Sequence, residues 1–307
     1  GILAAIGVII IAKQAPFALG TTSNADTVIG NLLDIFYKLP DANPFVFIVA
    51  LGGVLILVFY KKTSNKIIRA LPAPMWVLLL ALPMVIGFDF FNEHSIYFLG
   101  KSYGVGPKLL IDIPQDPLDC IMHPDFGMIG TLAFWLTVLS ITTIASIVTL
   151  ASARAVDKLD PFKRTTNLNK DLIGVGISTM VSGALGGLPI TSVIVRSTVN
   201  VNNNAKTKWS NLYHGIFLIL FVLILAPVLR SVPLAALAAI LVHTGFKLAS
   251  PLVFKHAYDQ GVEPLFFLSS TLIITLFTNL LYGIMGGILI TLVSHILLAR
   301  VGFLSFF

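Results

Sequence analysis

The chain has 307 residues, of which 56% are hydrophobic and only 11% are charged. Soluble domains carry about 25% charged residues, so a water-soluble globule is nearly excluded, and the apolar content excludes intrinsic disorder. The single cysteine, Cys120, excludes a disulfide within the chain. The formal charge of +6 does not by itself indicate a nucleic-acid partner, because membrane proteins place Lys and Arg according to the side of the membrane.

Long intervals without charged residues predict the membrane helices, each of which needs roughly 20 largely apolar residues. After an apolar opening run at 1–12, these intervals are 42–60, 70–88, 126–153, 172–195, 209–229, 231–246 and 264–299. The last interval is long enough for two passes, and a glycine cluster predicts a break between Asn279 and Gly287. The pattern predicts an all-α polytopic membrane protein with about ten hydrophobic segments.

Two of these segments are irregular. Residues 1–12 begin without Met, are too short to cross a bilayer and lack the flanks of a signal peptide, so we expect the cut end of a longer helix in an N-terminally truncated chain. The segment 172–208 is interrupted by Gly-Gly-Leu-Pro at 186–189, and the piece 190–201 that follows is predicted to be a half-helix. Interrupted segments in transporters mark the binding site near the midplane.

The basic residues are distributed unequally between the two sides that these segments define. If 190–201 counts as one pass, 15 of the 20 Lys and Arg residues fall on the side that holds 61–69 and 154–170. The positive-inside rule makes that side cytoplasmic, in a plasma-membrane protein with the acidic loop 89–125 outside. That loop is predicted to be solvated. A calcium site in its aspartate-rich part, 112–125, is a weaker alternative, because EF-hand spacing is absent.

Arg196 is the residue of the interrupted segment that most needs a partner. A charge at the centre of a membrane helix costs roughly 2.5–3.5 kcal/mol on insertion scales. If Thr191 or Ser192 caps a helix over 190–201, its first N–H groups point to the midplane, and Ser192, Arg196 and Asn200 share one face. These features describe an anion site. An arginine that extends to the cytoplasmic interface explains the same residue equally well.

A line of hydroxyl side chains in 127–153 forms a second candidate surface, although such residues also serve ordinary helix packing in membranes. Its members are Ser140, Thr142, Thr143, Ser146, Thr149 and Ser152. The histidines are scattered, and the sequence has no HExxH, GxSxG, Walker A or CxxC motif. We therefore predict that the protein is not an enzyme and that it has no cofactor and no metal site.

Several strings of residues together resemble the SulP (sulfate permease) family of inorganic anion transporters. They are 155–161, 169–172, 186–197 and 205–207, and the runs 1–20 and 233–241 are also similar to bacterial members. The resemblance covers essentially the whole chain, and the GGLP…VR…AKT string is specific.

The resemblance implies a fold of 7+7 inverted repeats with core and gate domains, of which this chain holds helices five to fourteen. The implied parts are first-repeat gate helices at 1–88, an extracellular loop at 89–125, second-repeat core helices at 126–230 with the half-helix 190–201, second-repeat gate helices at 231–299, and the start of a cytoplasmic tail at 300–307. The first four helices and a C-terminal STAS domain are expected to be absent. We therefore expect the chain alone not to transport, and the complete protein to be a homodimer.

The family's anion site lies between two facing half-helices, of which only the second, the tenth helix, is expected here. The resemblance implies that the following residues contact the substrate, with Arg196 as the basic position: Thr191, Ser192, Val193, Ile194, Val195 and Arg196. It also places a coupling-ion site at Val148, Thr149 and Ser152 on the eighth helix. Many relatives carry an acid where this chain has Val148, which argues against sodium or proton coupling there. A second departure is Asn204, where Gly is common.

The sequence thus predicts secondary active transport of an inorganic anion, of the sulfate, bicarbonate or chloride class, by alternating access in the lipid bilayer. One alternative is a nucleobase or ascorbate permease of the same fold, although such permeases normally use acidic residues on the eighth and tenth helices. Another is a channel-like anion conductor, which the dependence of flux on a counter-ion distinguishes from a carrier.

Overall fold

The structure is a computed structural model that describes residues 1–22, 25, 27–60, 62–114 and 121–299. Cys120 and the expected tail at 300–307 lie outside the described residues, and so does the side chain of Val195. In chain order the elements are α1 (Ile2–Leu19), α2 (Val28–Lys38), α3 (Pro44–Tyr60), α4 (Lys66–Ala70), α5 (Ala73–Gly87), β1 (His94–Phe98), β2 (Lys101–Val105), α6 (Leu132–Leu159), α7 (Leu168–Ala184), α8 (Ile194–Asn202), α9 (Trp209–Arg230), α10 (Leu234–Leu248), α11 (Pro251–Asp259), α12 (Val262–Phe277) and α13 (Leu280–Ala299).

Most of these helices are as apolar as the charge-free intervals predict. Within the described residues, four stretches are long and apolar enough to cross a membrane, namely α1, α6, α9 and the run Leu234–Asp259 over α10 and α11. Shorter apolar helices are α3, α5, α12 and Leu280–Ser294 of α13. The opening segment is longer than its predicted bounds of 1–12, because one lysine does not end an α-helix. It continues through Lys13 to Leu19 and stops at Gly20, which has a left-handed φ of 66°.

The chain divides into two compact units, which we describe separately. The first is formed by Gly1–Asp112 and the chain from Pro227 onward, and the second by Ile113–Ala226. In the first unit, α1 packs most extensively against α10, while α3 packs against α5 and α10. The residues that α10 buries are all small, namely Ala235, Ala236, Ala238, Ala239 and Gly245. Small side chains let helix backbones approach closely, which is how helices associate where lipid is as apolar as the helices themselves.

The break between the last two helices lies at Thr278 and Asn279, at the start of the predicted interval. The side chain of Asn279 accepts a hydrogen bond from the Tyr282 amide at 3.0 Å and so caps α13. The glycine cluster that predicted the break lies inside α13 instead. A Cβ atom at Gly287 or Gly283 would collide with Thr271 or Thr275 of α12, respectively, so these glycines allow close packing of the two helices.

The acidic loop 89–125 is not wholly irregular, because its first part forms an antiparallel hairpin that pairs His94 with Val105. Its turn, Leu99-Gly100, has positive φ at both residues, as the hairpin turn of type I′ requires. The buried Asn43 side chain donates to the Gly104 carbonyl at 2.9 Å and accepts from the Phe45 amide at 3.1 Å. The hairpin is therefore anchored to the start of α3, a contact that the sequence pattern does not predict.

Candidate anion-binding site

The second unit contains all the residues predicted to form the site. On α6, only two of the six predicted hydroxyl residues are buried, Thr149 with an exposed fraction of 0% and Ser152 with 4%. Val148, which stands where the resemblance leads us to expect an acidic residue, is half-buried, and Thr142 is exposed. The predicted polar line is therefore reduced to a short buried patch, one helical turn long, at Thr149 and Ser152.

A glycine turn reverses the chain after α7. Gly186 has a φ of 79°, and a Cβ atom there would lie 2.8 Å from the carbonyl oxygen of Met122. The amide of Gly187 donates to the Ser182 carbonyl at 2.7 Å. Both positions thus require glycine, the first for its left-handed backbone and close contact and the second because a side chain would overlap Ser182.

The non-helical segment 187–193 runs back along α7 and takes its hydrogen bonds from hydroxyl side chains. Ser182 donates to the Leu188 carbonyl at 2.8 Å. Thr179 accepts from the Ile190 amide at 3.2 Å and donates to the Ile190 carbonyl at 3.4 Å. Backbone at membrane depth needs such partners, because lipid offers none. Sequence reasoning missed Thr179 and Ser182, although hydroxyls spaced i, i+3 just before Gly-Gly-Leu-Pro were the available signal.

A contact with α6 joins the two predicted sites. The amide of Ser192 donates to the buried Thr149 hydroxyl at 3.4 Å, across 43 positions of sequence. The segment predicted to bind substrate therefore lies against the helix predicted to carry the coupling-ion site. Thr149 acts in this contact as an acceptor for backbone.

The half-helix begins later than its predicted bounds of 190–201. Helix α8 spans Ile194–Asn202, and Val193 is its N-cap residue, with no side-chain capping bond. The expectation that Thr191 or Ser192 caps this helix is wrong, because hydrogen bonds to α7 and α6 hold the chain extended up to Val193. The first N–H groups of an α-helix have no intrahelical partner and carry about half a positive charge. Because no side chain caps α8, its first N–H groups keep this partial positive charge.

The predicted helical face of Ser192, Arg196 and Asn200 keeps only its last two members, which lie four residues apart in α8. Ser192 precedes the helix, and the Asn200 side chain accepts a hydrogen bond from Ser210. Arg196 lies in the first turn of α8 with an exposed side chain, and no hydrogen bond or ion pair joins it to the described part of the chain. Thr191, Ser192 and Ile194 are half-buried, and Val193 is 44% exposed.

The end of α8 explains one departure from the family pattern. Asn204 has a φ of 59°, a left-handed conformation that glycine adopts most readily and asparagine tolerates. The following amide, of Ala205, donates to the Asn200 carbonyl at 3.1 Å. Asparagine can therefore stand where the resemblance leads us to expect glycine, because the position needs a left-handed backbone that both residues adopt.

An ion pair organises the connection between α6 and α7. Arg164 contacts Asp160 through Nε at 2.7 Å and Nη2 at 3.0 Å, and its Nη1 donates to the Lys206 carbonyl at 3.0 Å. This hydrogen-bonded pairing lowers the pKa of Asp160 to about 2. The connection before α7 is thereby tied to the connection after α8.

No cluster of three or more His, Cys, Asp or Glu residues suited to a metal ion occurs in the described ranges. Asp116 and Asp119, which belong to the calcium alternative, lie outside those ranges.

A profile of the sulfate permease family matches residues 1–261. The chain belongs to the sulfate permease family. It is 26% identical over 298 residues to YvdB of Bacillus subtilis (strain 168), whose name marks it as a candidate sulfate transporter, with 96% of this chain and 53% of YvdB covered. It is 25% identical over 291 residues to the bicarbonate transporter BicA of Synechocystis sp. (strain ATCC 27184 / PCC 6803 / Kazusa), with 94% and 48% covered. The chain thus spans about half the length of these relatives.

Solved structures confirm the predicted transporter fold. The chain is similar to the transmembrane domain of a cyanobacterial bicarbonate transporter, BicA, with a TM-score of 0.72, 20% identity and coverage of 92% of this chain and 67% of that chain. It is similar to the murine Solute Carrier 26 family member A9 anion transporter, with a TM-score of 0.76, 18% identity and coverage of 97% and 47%. At these identities the likeness concerns the fold alone.

Proposed function

We propose that the protein is a secondary active transporter of inorganic anions, of the sulfate, bicarbonate or chloride class, and that the anion binds at the start of α8 beside Arg196. The observation that carries this proposal is the uncapped N-terminus of α8 with an exposed arginine in its first turn. Backbone N–H groups, the helix dipole and a guanidinium all favour negative charge at one place. The substrate contacts proposed are those of residues 191–196.

The charge of the surrounding sequence supports an anion over a neutral substrate. From residue 172 to residue 230 the chain contains no Asp or Glu, while it contains two arginines and two lysines. A nucleobase permease of this fold normally recognises its uncharged base through acidic residues on the eighth and tenth helices. In this chain neither residues 126–153 of the eighth helix nor α8, the tenth, contains an acidic residue. Family membership also favours an anion.

In the proposed mechanism, the unit that carries α6 to α8 moves against the gate helices in alternating access, and the hydroxyls of Thr149, Thr179 and Ser182 hold the segment before α8 in place. The basic connections are proposed to face the cytoplasm, and the complete protein to act as a homodimer in the plasma membrane. The bounds of the core and gate parts given above belong to the same proposal.

The test is anion uptake by proteoliposomes that contain the protein expressed from its complete reading frame. We expect saturable uptake of radiolabelled sulfate, bicarbonate or chloride that an opposing gradient of the same anion accelerates. Flux that rises linearly with concentration and follows voltage alone would support the channel alternative. Absence of uptake of all three anions by folded protein would contradict the proposal.

The replacement of a carboxylate by Val148 predicts that transport needs no cation at α6. Only neutral oxygens such as those of Thr149 and Ser152 remain there, and hard cations prefer charged oxygen ligands. Uptake is expected to be the same in sodium and in choline buffers, and Val148→Asp is the variant in which sodium dependence should emerge. The prediction fails if wild-type uptake depends steeply on sodium and Ser152→Ala removes that dependence.

Substitution of Thr149 by Val tests the contact between α6 and the segment before α8. Valine leaves the Ser192 amide without its acceptor, and a buried polar group without a partner costs about 1–3 kcal/mol. If about half of this free-energy cost weakens anion binding, roughly 1 kcal/mol, the half-saturating anion concentration rises about fivefold. Thr142→Val, at an exposed position of the same helix, is the control and should behave as wild type. Equal half-saturation for both variants would show that the contact does not position the site.

A further inference from the structure

One end of the second unit carries a group of exposed lysines. The connection that follows α6 and the connection that precedes α9 lie together at this end, because Arg164 of the first donates to the carbonyl of Lys206 in the second. The lysine surface comprises the side chains of Lys158, Lys163, Lys170, Lys206 and Lys208, all of them exposed.

The acidic residues at this end do not neutralise the lysine surface. Asp160 is paired with Arg164, and Asp157 accepts hydrogen bonds from the Thr166 amide at 3.0 Å and from its hydroxyl. The remaining acid, Asp171, is half-buried in the first turn of α7. Within the described residues, none of the five lysines forms an ion pair. The five lysines outnumber Asp157 and Asp171, the two acids without an ion pair at this end, so the surface carries net positive charge.

Aromatic side chains are exposed at the same end. Phe162, Trp209 and Tyr213 have exposed fractions of 58%, 57% and 55%. Trp209 and Tyr213 lie side by side, with ring centroids 6.4 Å apart. Tryptophan and tyrosine are enriched at the level of lipid headgroups, where one part of the ring meets hydrocarbon and the other meets water.

We propose that the lysine surface binds the headgroups of anionic phospholipids. It lies at the ends of α6 and α9, both of them long and apolar enough to cross a bilayer, so its lysines reach the headgroup layer. Clusters of four to eight basic residues next to a membrane helix attract anionic lipid. The adjacent aromatic rings place this surface at the depth of a lipid phosphate, which favours a lipid over a free anion in solution. This binding is separate from anion transport and does not depend on it.

Native mass spectrometry of the protein expressed from its complete reading frame tests the inference, after reconstitution in equal amounts of phosphatidylglycerol and phosphatidylcholine. We expect retained phosphatidylglycerol to exceed retained phosphatidylcholine about fivefold or more, since a single juxtamembrane lysine contributes a factor of about that size. Replacing all five lysines with Gln should reduce the ratio to near one. Replacing all five with Arg, which keeps the charge, should preserve it.

Several outcomes overturn the inference. One is a ratio near one in the wild type, and another is equal ratios in the Gln and Arg variants. A third is loss of bound phosphatidylglycerol on addition of excess inorganic phosphate, which would make this a site for soluble anions. Saturable anion uptake by the Gln variant shows that this variant is folded. A failure of the lipid inference can then be told apart from a failure of the transport proposal.

Discussion

Replacing Arg196 with Gln is expected to raise the half-saturating anion concentration by about tenfold or more. A guanidinium and an anion about 4 Å apart attract each other by roughly 4 kcal/mol at an effective dielectric constant of 20. Desolvation offsets part of this energy, and a remainder of about 1.4 kcal/mol is enough for a tenfold difference in affinity. The arginine lies in the first turn of α8, where its charge adds to that of the free N–H groups. The measurement is concentration-dependent uptake into proteoliposomes.

Two variants make this result specific to the site. Arg196→Lys keeps the positive charge but loses the planar donor fork, so its half-saturating concentration should lie between those of wild type and Arg196→Gln. Arg154→Gln removes an exposed arginine near the end of α6 and should leave half-saturation unchanged. An Arg196→Gln protein with wild-type affinity and normal expression would instead favour an arginine that extends to the membrane interface.

The largest effect on stability is expected for Gly245→Leu, at the contact between α10 and α1. A Cβ atom at Gly245 would lie 2.6 Å from the carbonyl oxygen of Gly7, and one at Gly7 would lie 2.5 Å from that of Gly245. Neither backbone can give way without separating the two helices. Overpacking typically costs 1–3 kcal/mol and occasionally more, and with backbone on both sides we expect about 3 kcal/mol. Thermal unfolding in detergent, followed by tryptophan fluorescence, measures the loss.

Gly215→Leu is the matched control, because a Cβ atom at Gly215 of α9 meets nothing within 4 Å. Both substitutions gain roughly 0.8–1 kcal/mol of helix propensity, so the difference between the two variants reports the collision alone. Equal unfolding temperatures for the two proteins would mean that α1 and α10 do not pack closely at this point.

Much of the architecture follows from local patterns. The charge-free intervals predict the apolar helices because a chain that crosses lipid must satisfy its backbone within each helix. The intervals predict the ends of α3, α9 and α10 to within a few residues of where the structure has them. The Gly-Gly-Leu-Pro string predicts the interruption before α8, since glycine permits the left-handed turn at Gly186 and proline cannot continue a helix.

Local patterns mislead where a residue type serves two purposes. The glycines 283, 286 and 287 indicate a chain break, yet they lie inside α13, where Gly283 and Gly287 face Thr275 and Thr271 of α12. Lys13 marks the end of an apolar run, yet α1 continues past it to Leu19. The acids and prolines of the loop 89–125 indicate irregular structure, so they do not predict the hairpin at 94–105. Asn43, which anchors that hairpin, is far away in sequence.

For the proposed binding site, the sequence by itself determined the membrane setting, the interrupted helix and the position of Arg196 after it. Only the tertiary structure decided where α8 begins and which side chains hold the segment before it. The bonds from Thr179 to Ile190 and from Ser192 to Thr149 span 11 and 43 positions, so no local pattern contains them. Because those bonds keep the backbone extended up to Val193, α8 starts after that residue without a capping side chain, and no side chain of the N-cap residue bonds to its first N–H groups.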